Sequence, residues 1–146
     1  MYRIILINNK VNDSLTNKVN DSLIRRCLNN SFVDKQTLYV AYSLNEGINL
    51  LKAQKPHLVI LNGISKQNDI SHFFENCEPI GFQTIVLSNS EVYALAAIKH
   101  NVTDYLLKPI KEDDLREALI KAISKAKNHD DLNQHLSAKK INTILA

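Results

Sequence analysis

Five short apolar runs recur along the chain with helical patterns between them, and this alternation constrains the fold more than any other feature. Tyr2-Arg3-Ile4-Ile5-Leu6-Ile7, Thr37-Leu38-Tyr39-Val40-Ala41, Pro56-His57-Leu58-Val59-Ile60-Leu61-Asn62, Thr84-Ile85-Val86-Leu87 and Asp104-Tyr105-Leu106 read as strands. The first is nearly continuous in apolar character, as in strands buried on both faces of a parallel sheet. Helical spacing appears in the intervals. Leu23, Ile24, Cys27 and Leu28 form one apolar stripe, and Ile48, Leu51 and Ala53 belong to a second. The second opens on Ser43-Leu44-Asn45-Glu46, a capping-box pattern, and ends at Pro56. A weaker helical pattern covers about Asp69–Asn76, and Pro79 and Gly81 mark the loop after it. Glu91–His100 carries Val92, Leu95, Ala96 and Ile98, and a long helix from near Lys111 carries Leu115, Leu119, Ala122 and Ile123. Five strand–helix repeats predict a doubly wound α/β fold with right-handed crossovers.

The chain has 146 residues, the size of one domain. Hydrophobic content of 45% with three Gly and three Pro argues for a packed core. No apolar run approaches the roughly 18 residues of a membrane helix, so no membrane span is expected. Met1 leads straight into the first strand, which reads as no signal peptide and points to the cytoplasm. Cys27 and Cys77 lack metal-ligand spacing and are expected as buried or half-buried reduced thiols. His57, His72, His100, His129 and His135 show no ligand or triad spacing, and His129 and His135 are six apart rather than four. The net charge is +3, with both signs interspersed; Lys111-Glu112-Asp113-Asp114-Leu115-Arg116-Glu117 reads as a solvated helix face rather than a nucleic-acid footprint. Gly47, Gly63 and Gly81 form no phosphate-binding loop, which argues against a nucleotide-binding enzyme. Residues 1–127 read as the domain and 128–146 as a C-terminal helix or linker, with a new cap at Asn128-His129-Asp130-Asp131.

In doubly wound sheets, ligand chemistry gathers outside the carboxyl ends of the strands. Asn8, Asn9, Asn62, Ser88 and Lys108 all fall there. With these residues, and above all in the stretch from Tyr93-Ala94-Leu95 to Asp104-Tyr105-Leu106-Leu107-Lys108-Pro109-Ile110, the chain resembles the receiver domain of bacterial response regulators, most of all receivers of the LytTR (LytR/AlgR) class. The resemblance covers about residues 2 to 127. It implies a flavodoxin-like, five-stranded parallel sheet in the order 2-1-3-4-5. In that family two acids after strand one and one after strand three bind magnesium and accept a phosphoryl group. By the resemblance, Asn62 stands at the phospho-acceptor position and Asn8 and Asn9 at the metal positions. Ser88 matches the phosphoryl-sensing hydroxyl, Tyr105 the switch aromatic, and Lys108 the phosphate-pairing lysine before a cis-proline, Pro109. Magnesium takes hard, usually anionic oxygen, and a carboxamide is no nucleophile for phosphoryl transfer. The expectation is therefore a receiver degenerate at its phosphorylation site, with no enzymatic activity, no cofactor and no magnesium binding. Structural roles stand beside these. Lys108 is read as a buried stem with a solvated head, or as a donor to Asn8 or Asn62. Ser88 or Ser90 caps the next helix, and Tyr105 is a packed aromatic with a wet hydroxyl.

The expected function is a pseudo-receiver that signals by binding a protein partner or a second copy. The surface is Glu91–His100, Asp104–Leu107 and Lys111–Lys125, with no nucleic acid bound by this chain. The alternative is the N-terminal regulatory part of a LytTR-type DNA-binding transcription regulator. One further feature is a tandem duplication: Asn9-Lys10-Val11-Asn12-Asp13-Ser14-Leu15 recurs as Asn17-Lys18-Val19-Asn20-Asp21-Ser22-Leu23. Neither copy contains Gly or Pro, so the first helix is expected to lengthen by about 12 Å toward the strand ends, with Val11 and Leu15 projecting above Asn9 and Asn62. The other reading is an eight-residue disordered bulge between Lys10 and Lys18.

Overall fold

The computed structural model describes residues 2–9, 14–29, 36–64, 66, 68–77 and 81–127. Strands β1 (Tyr2–Asn8), β2 (Gln36–Ala41), β3 (Leu58–Ile64), β4 (Gln83–Ser88) and β5 (Asp104–Leu107) form one parallel sheet in the order β2-β1-β3-β4-β5. Helices α1 (Ser14–Asn29), α2 (Leu44–Gln54), α3 (Asp69–Glu75), α4 (Ala94–Lys99) and α5 (112–127) connect or follow them. The fold is the doubly wound, flavodoxin-like one expected from the sequence.

The pleat explains why the inner strands are apolar throughout. Ile4, Leu6, Leu58, Ile60, Ile85 and Leu87 point to one face, where α1 and α5 cover them. Ile5, Ile7, Val59, Leu61 and Val86 point to the other, beneath α2, α3 and α4. A central strand buried on both faces has no position left for a solvated side chain. The edge strand β2 is partly exposed along nearly its whole length. α2 lies close enough to β1 that a Cβ on Gly47 would come within 2.3 Å of the Ile7 side chain.

The capping box at α2 forms with one shift. Ser43 Oγ accepts from the Glu46 N–H at 3.1 Å, as the pattern predicts. Glu46 Oε2 reaches back to the N–H of Tyr42 at 3.1 Å, one residue beyond the cap itself. Lys55 ends the helix in the left-handed region (φ 47°), its N–H on the Leu51 carbonyl, so the stop precedes Pro56. α1 is helical from Ser14, which carries the whole second copy of the duplication and the end of the first. Residues 10–13, Val11 among them, lie outside the described residues, as do the Leu15 side chain and the expected C-terminal helix at 128–146.

Two expectations need correction. Asn62 does not end its strand: β3 begins at Leu58 and continues to Ile64 across a register shift between Asn62 and Ile64. Gly63 makes this possible, since its φ is +90° and a Cβ there would lie 2.3 Å from the Asn9 carbonyl oxygen. Glu91–His100 is not one helix. A 3-10 turn at Glu91–Tyr93 precedes the six-residue α4. Its larger apolar side chains face outward, with Val92 at 72%, Leu95 at 64% and Ile98 at 69% exposure, while Ala97 is its buried residue.

Candidate functional site

The carboxyl ends of β1 and β3 lie side by side, with Asn8 and Asn62 in register. Both follow the parity of Ile4, Leu6, Leu58 and Ile60, so they share the face covered by α1 and α5. Asn62 is completely buried and Asn8 nearly so. Asn62 Nδ2 donates to Asn8 Oδ1 at 2.9 Å. The Asn9 N–H donates to the Asn62 carbonyl at 2.9 Å, and Asn9 Nδ2 approaches the Gly63 carbonyl at 3.4 Å. Asn62 Oδ1 is buried with no hydrogen-bond partner among the described residues. The three amides thus join the two strand ends, and the Asn62 side-chain oxygen takes no bond from Lys108.

β4 and β5 form the second half of the site. Ser88 is buried at the end of β4. Its Oγ accepts from the Ser90 N–H and donates to the Ser90 carbonyl, both at 3.2 Å. Ser90, not Ser88, caps the 3-10 turn, its Oγ accepting from the Val92 N–H at 3.1 Å. Tyr105 is half-buried in β5, and its hydroxyl donates to the Ser90 carbonyl. The hydroxyl is therefore engaged rather than simply wet. Burial pushes the Tyr105 phenol above its ordinary pKa, against a smaller opposing pull from the Ser88 hydroxyl. The Lys108 N–H bonds the Ser88 carbonyl at 2.8 Å, and Lys108–Pro109 is cis, as the resemblance implied. Backbone and side-chain bonds so tie Ser88, Ser90, Tyr105 and Lys108 into one network at the start of the α4 segment.

Comparisons with known proteins find response regulatory proteins in sequence and proteins of the same fold in structure. No family model matches the chain. The transcriptional regulatory protein HptR of Staphylococcus aureus is 35% identical over 92 residues, covering 57% of this chain and 34% of that protein. A response regulatory protein of Vibrio vulnificus is 30% identical over 93 residues, covering 63% of this chain and 38% of its own length. The chain therefore spans about a third of the length of these curated relatives. In structure, a response regulator receiver domain from Clostridium thermocellum superposes with a TM-score of 0.62 at 20% identity, over 87% of this chain and 98% of the other. A two-component response regulator from Clostridium difficile gives 0.63 at 19% identity, over 88% and 99%. The chain is thus similar in sequence to response regulatory proteins over part of its length, and it shares the fold of receiver domains.

Within this fold, every position expected at the site reaches the carboxyl edge of the sheet, but the site divides in two. Asn62 bonds both Asn8 and Asn9, while Ser88 and Tyr105 join through Ser90 and Lys108 bonds the Ser88 carbonyl. Sequence reasoning missed Ser90 as the hub; its signal was the Ser88-Asn89-Ser90-Glu91 pattern, which left two serines as candidate caps. Among the described residues no three His, Cys, Asp or Glu side chains cluster as metal ligands. No described helix is long and apolar enough to cross a membrane. Both cysteines are free thiols; burial raises the pKa of each, that of Cys77 to about 11.

Proposed function

We propose that this receiver domain acts as a pseudo-receiver, a protein-interaction module whose conformation does not depend on phosphorylation. The observation that carries this reading is the buried Asn62–Asn8 hydrogen bond at the phospho-acceptor position. An amide there offers no carboxylate oxygen to form an acyl phosphate. The donor set also fits magnesium poorly. Asn8, Asn9 and Asn62 supply neutral groups where the metal takes hard, charged oxygen, and Asn8 Oδ1 already accepts a hydrogen bond from Asn62 Nδ2.

Addition of magnesium with beryllofluoride tests this reading by NMR. The expected outcome is no saturable shift of the Asn9, Asn62 and Ser88 amides at millimolar magnesium; specific shifts there would overturn the proposal. Restoring all three acids together (N8D, N9D, N62D) is expected to recover metal binding, whereas Asn62→Asp alone is not, because the other two positions supply most of the charge.

The partner surface in this proposal is the face of α4, β5 and α5. Val92, Leu95 and Ile98 expose more than half of their surface, and Leu107 and Ile120 are exposed on β5 and α5. Exposed apolar side chains with a polar rim suit a protein partner or a second copy. Arg116 already contacts Glu112 and Asp113 within α5, so its charge contributes to the rim rather than to an anchor. A second reading, a regulatory part of a longer transcription regulator, has one observation in its favour: the match covers 57% of this chain but 34% of a longer relative, which is named as a transcriptional regulatory protein. The LytTR class belongs to that reading, and the length of the full gene product tests it.

A further inference from the structure

At the opposite, amino-terminal edge of the sheet lies a cleft of about 470 Å³, between the end of α2 and the residues that lead into β3 and β4. Its apolar walls are Ile48, Leu51, Pro56 and Phe82. Arg3, Lys52 and Lys55 bring cations to it, and none of the described lining residues is acidic. The volume falls in the range of roughly 300–1,000 Å³ typical of small-molecule sites. We propose that this cleft is a binding site for a small organic anion with an apolar or aromatic body.

Three observations define the chemistry. The Arg3 guanidinium is held in place, its Nε donating to the Gln54 carbonyl at 2.8 Å and its Nη2 to the Lys55 carbonyl at 3.0 Å. It therefore fixes the end of α2 against the start of β1 and gives the cleft a rigid wall. Lys55 takes the left-handed conformation that closes α2, which sets the direction of the chain at the rim. Lys52 lines the cleft together with Cys77. The thiol itself remains neutral at pH 7 and adds no negative charge. An anion here meets cations without an opposing carboxylate among the described residues, and its apolar body meets Leu51 and Phe82. The site is built from the amino ends of the strands, remote from Asn62 at their carboxyl ends.

The test uses the full chain with two probes, the anionic 1-anilinonaphthalene-8-sulfonate and its neutral counterpart N-phenyl-1-naphthylamine. Each is titrated by fluorescence and by amide NMR. The proposal expects saturable binding of the sulfonate with shifts centred on Cys77, Gly81 and Phe82, at least about tenfold tighter than the neutral probe. In the double variant Lys52→Gln with Lys55→Asn, both on the exposed rim, that preference should vanish while the neutral probe binds as before. Asparagine tolerates the left-handed conformation at position 55. Equal affinity for both probes in the unaltered chain, an unchanged preference in the variant, no saturable binding below millimolar probe, or shifts confined to Val92, Leu95 and Ile98 would each overturn it.

Discussion

α4 and α5 flank β5 with similar apolar patterns and opposite fates. α5 buries Leu115, Ala118, Leu119 and Ala122 against the sheet and α1. The α4 segment buries Ala97, partly buries Tyr93 and Ala96, and leaves Val92, Leu95 and Ile98 in solvent. A helical stripe records that a face is apolar but not what covers it. α5 is long enough to lie along the sheet, and Arg26 of α1 meets its Glu112 at 3.3 Å. The α4 segment instead is held at its start by Ser90 and Tyr105 and presents its larger apolar side chains outward. In this domain one helix stabilises the fold and the other is available for contacts.

Leu119→Ala tests the first half of that contrast with the largest effect. A fully buried leucine is lost from the α1/α5 side of the core, so urea unfolding should show a destabilisation of about 2–5 kcal/mol. A loss below about 1 kcal/mol would mean that α5 is not the stabilising helix.

Tyr105→Phe sharpens the second half. It removes the hydroxyl that holds the Ser90 carbonyl, and should cost about 0.5–1.5 kcal/mol and broaden the amide signals of Val92 to Ile98. The pH dependence has a definite sign. The folded pKa of Tyr105 is raised, so its contribution is fully present below the unfolded value near 10 and is lost as pH rises through the folded value. The difference between the two proteins should therefore be flat from pH 6 to 9 and shrink in alkali.

Arg116→Ala breaks contacts to Glu112 and Asp113 that are largely solvent-exposed. Stability should fall by no more than about 1 kcal/mol, and less in high salt. A larger loss would show that the α5 surface carries structural weight the contrast denies it.

Leu95→Ala completes the series. At 64% exposure it should change stability by less than about 0.5 kcal/mol, while any self-association seen by sedimentation weakens. Should it destabilise the monomer as much as Leu119→Ala, the outward ridge is not exposed in solution and the comparison fails.

Much of this was legible before any coordinates. The continuous strand cores, the helix stripes of α1, α2 and α5 and the Ser43 cap follow from local patterns, because periodicity and capping act within a few residues. The identity of Asn8, Asn9 and Asn62 as amides is likewise a matter of sequence, and it bounds the chemistry those positions can offer. Other features depend on contacts between residues far apart in the chain. The pairing of Asn62 with Asn8 joins residues 54 apart, and it exists because parallel register sets the ends of β1 and β3 side by side. The continuation of β3 past Asn62 needs Gly63 to pass close to the Asn9 carbonyl. The choice of Ser90 over Ser88 as cap follows from where β4 stops and where Tyr105 can reach. The outward turn of Val92, Leu95 and Ile98 follows from the short α4 that begins there, since burial belongs to the neighbours of a side chain as much as to the side chain itself.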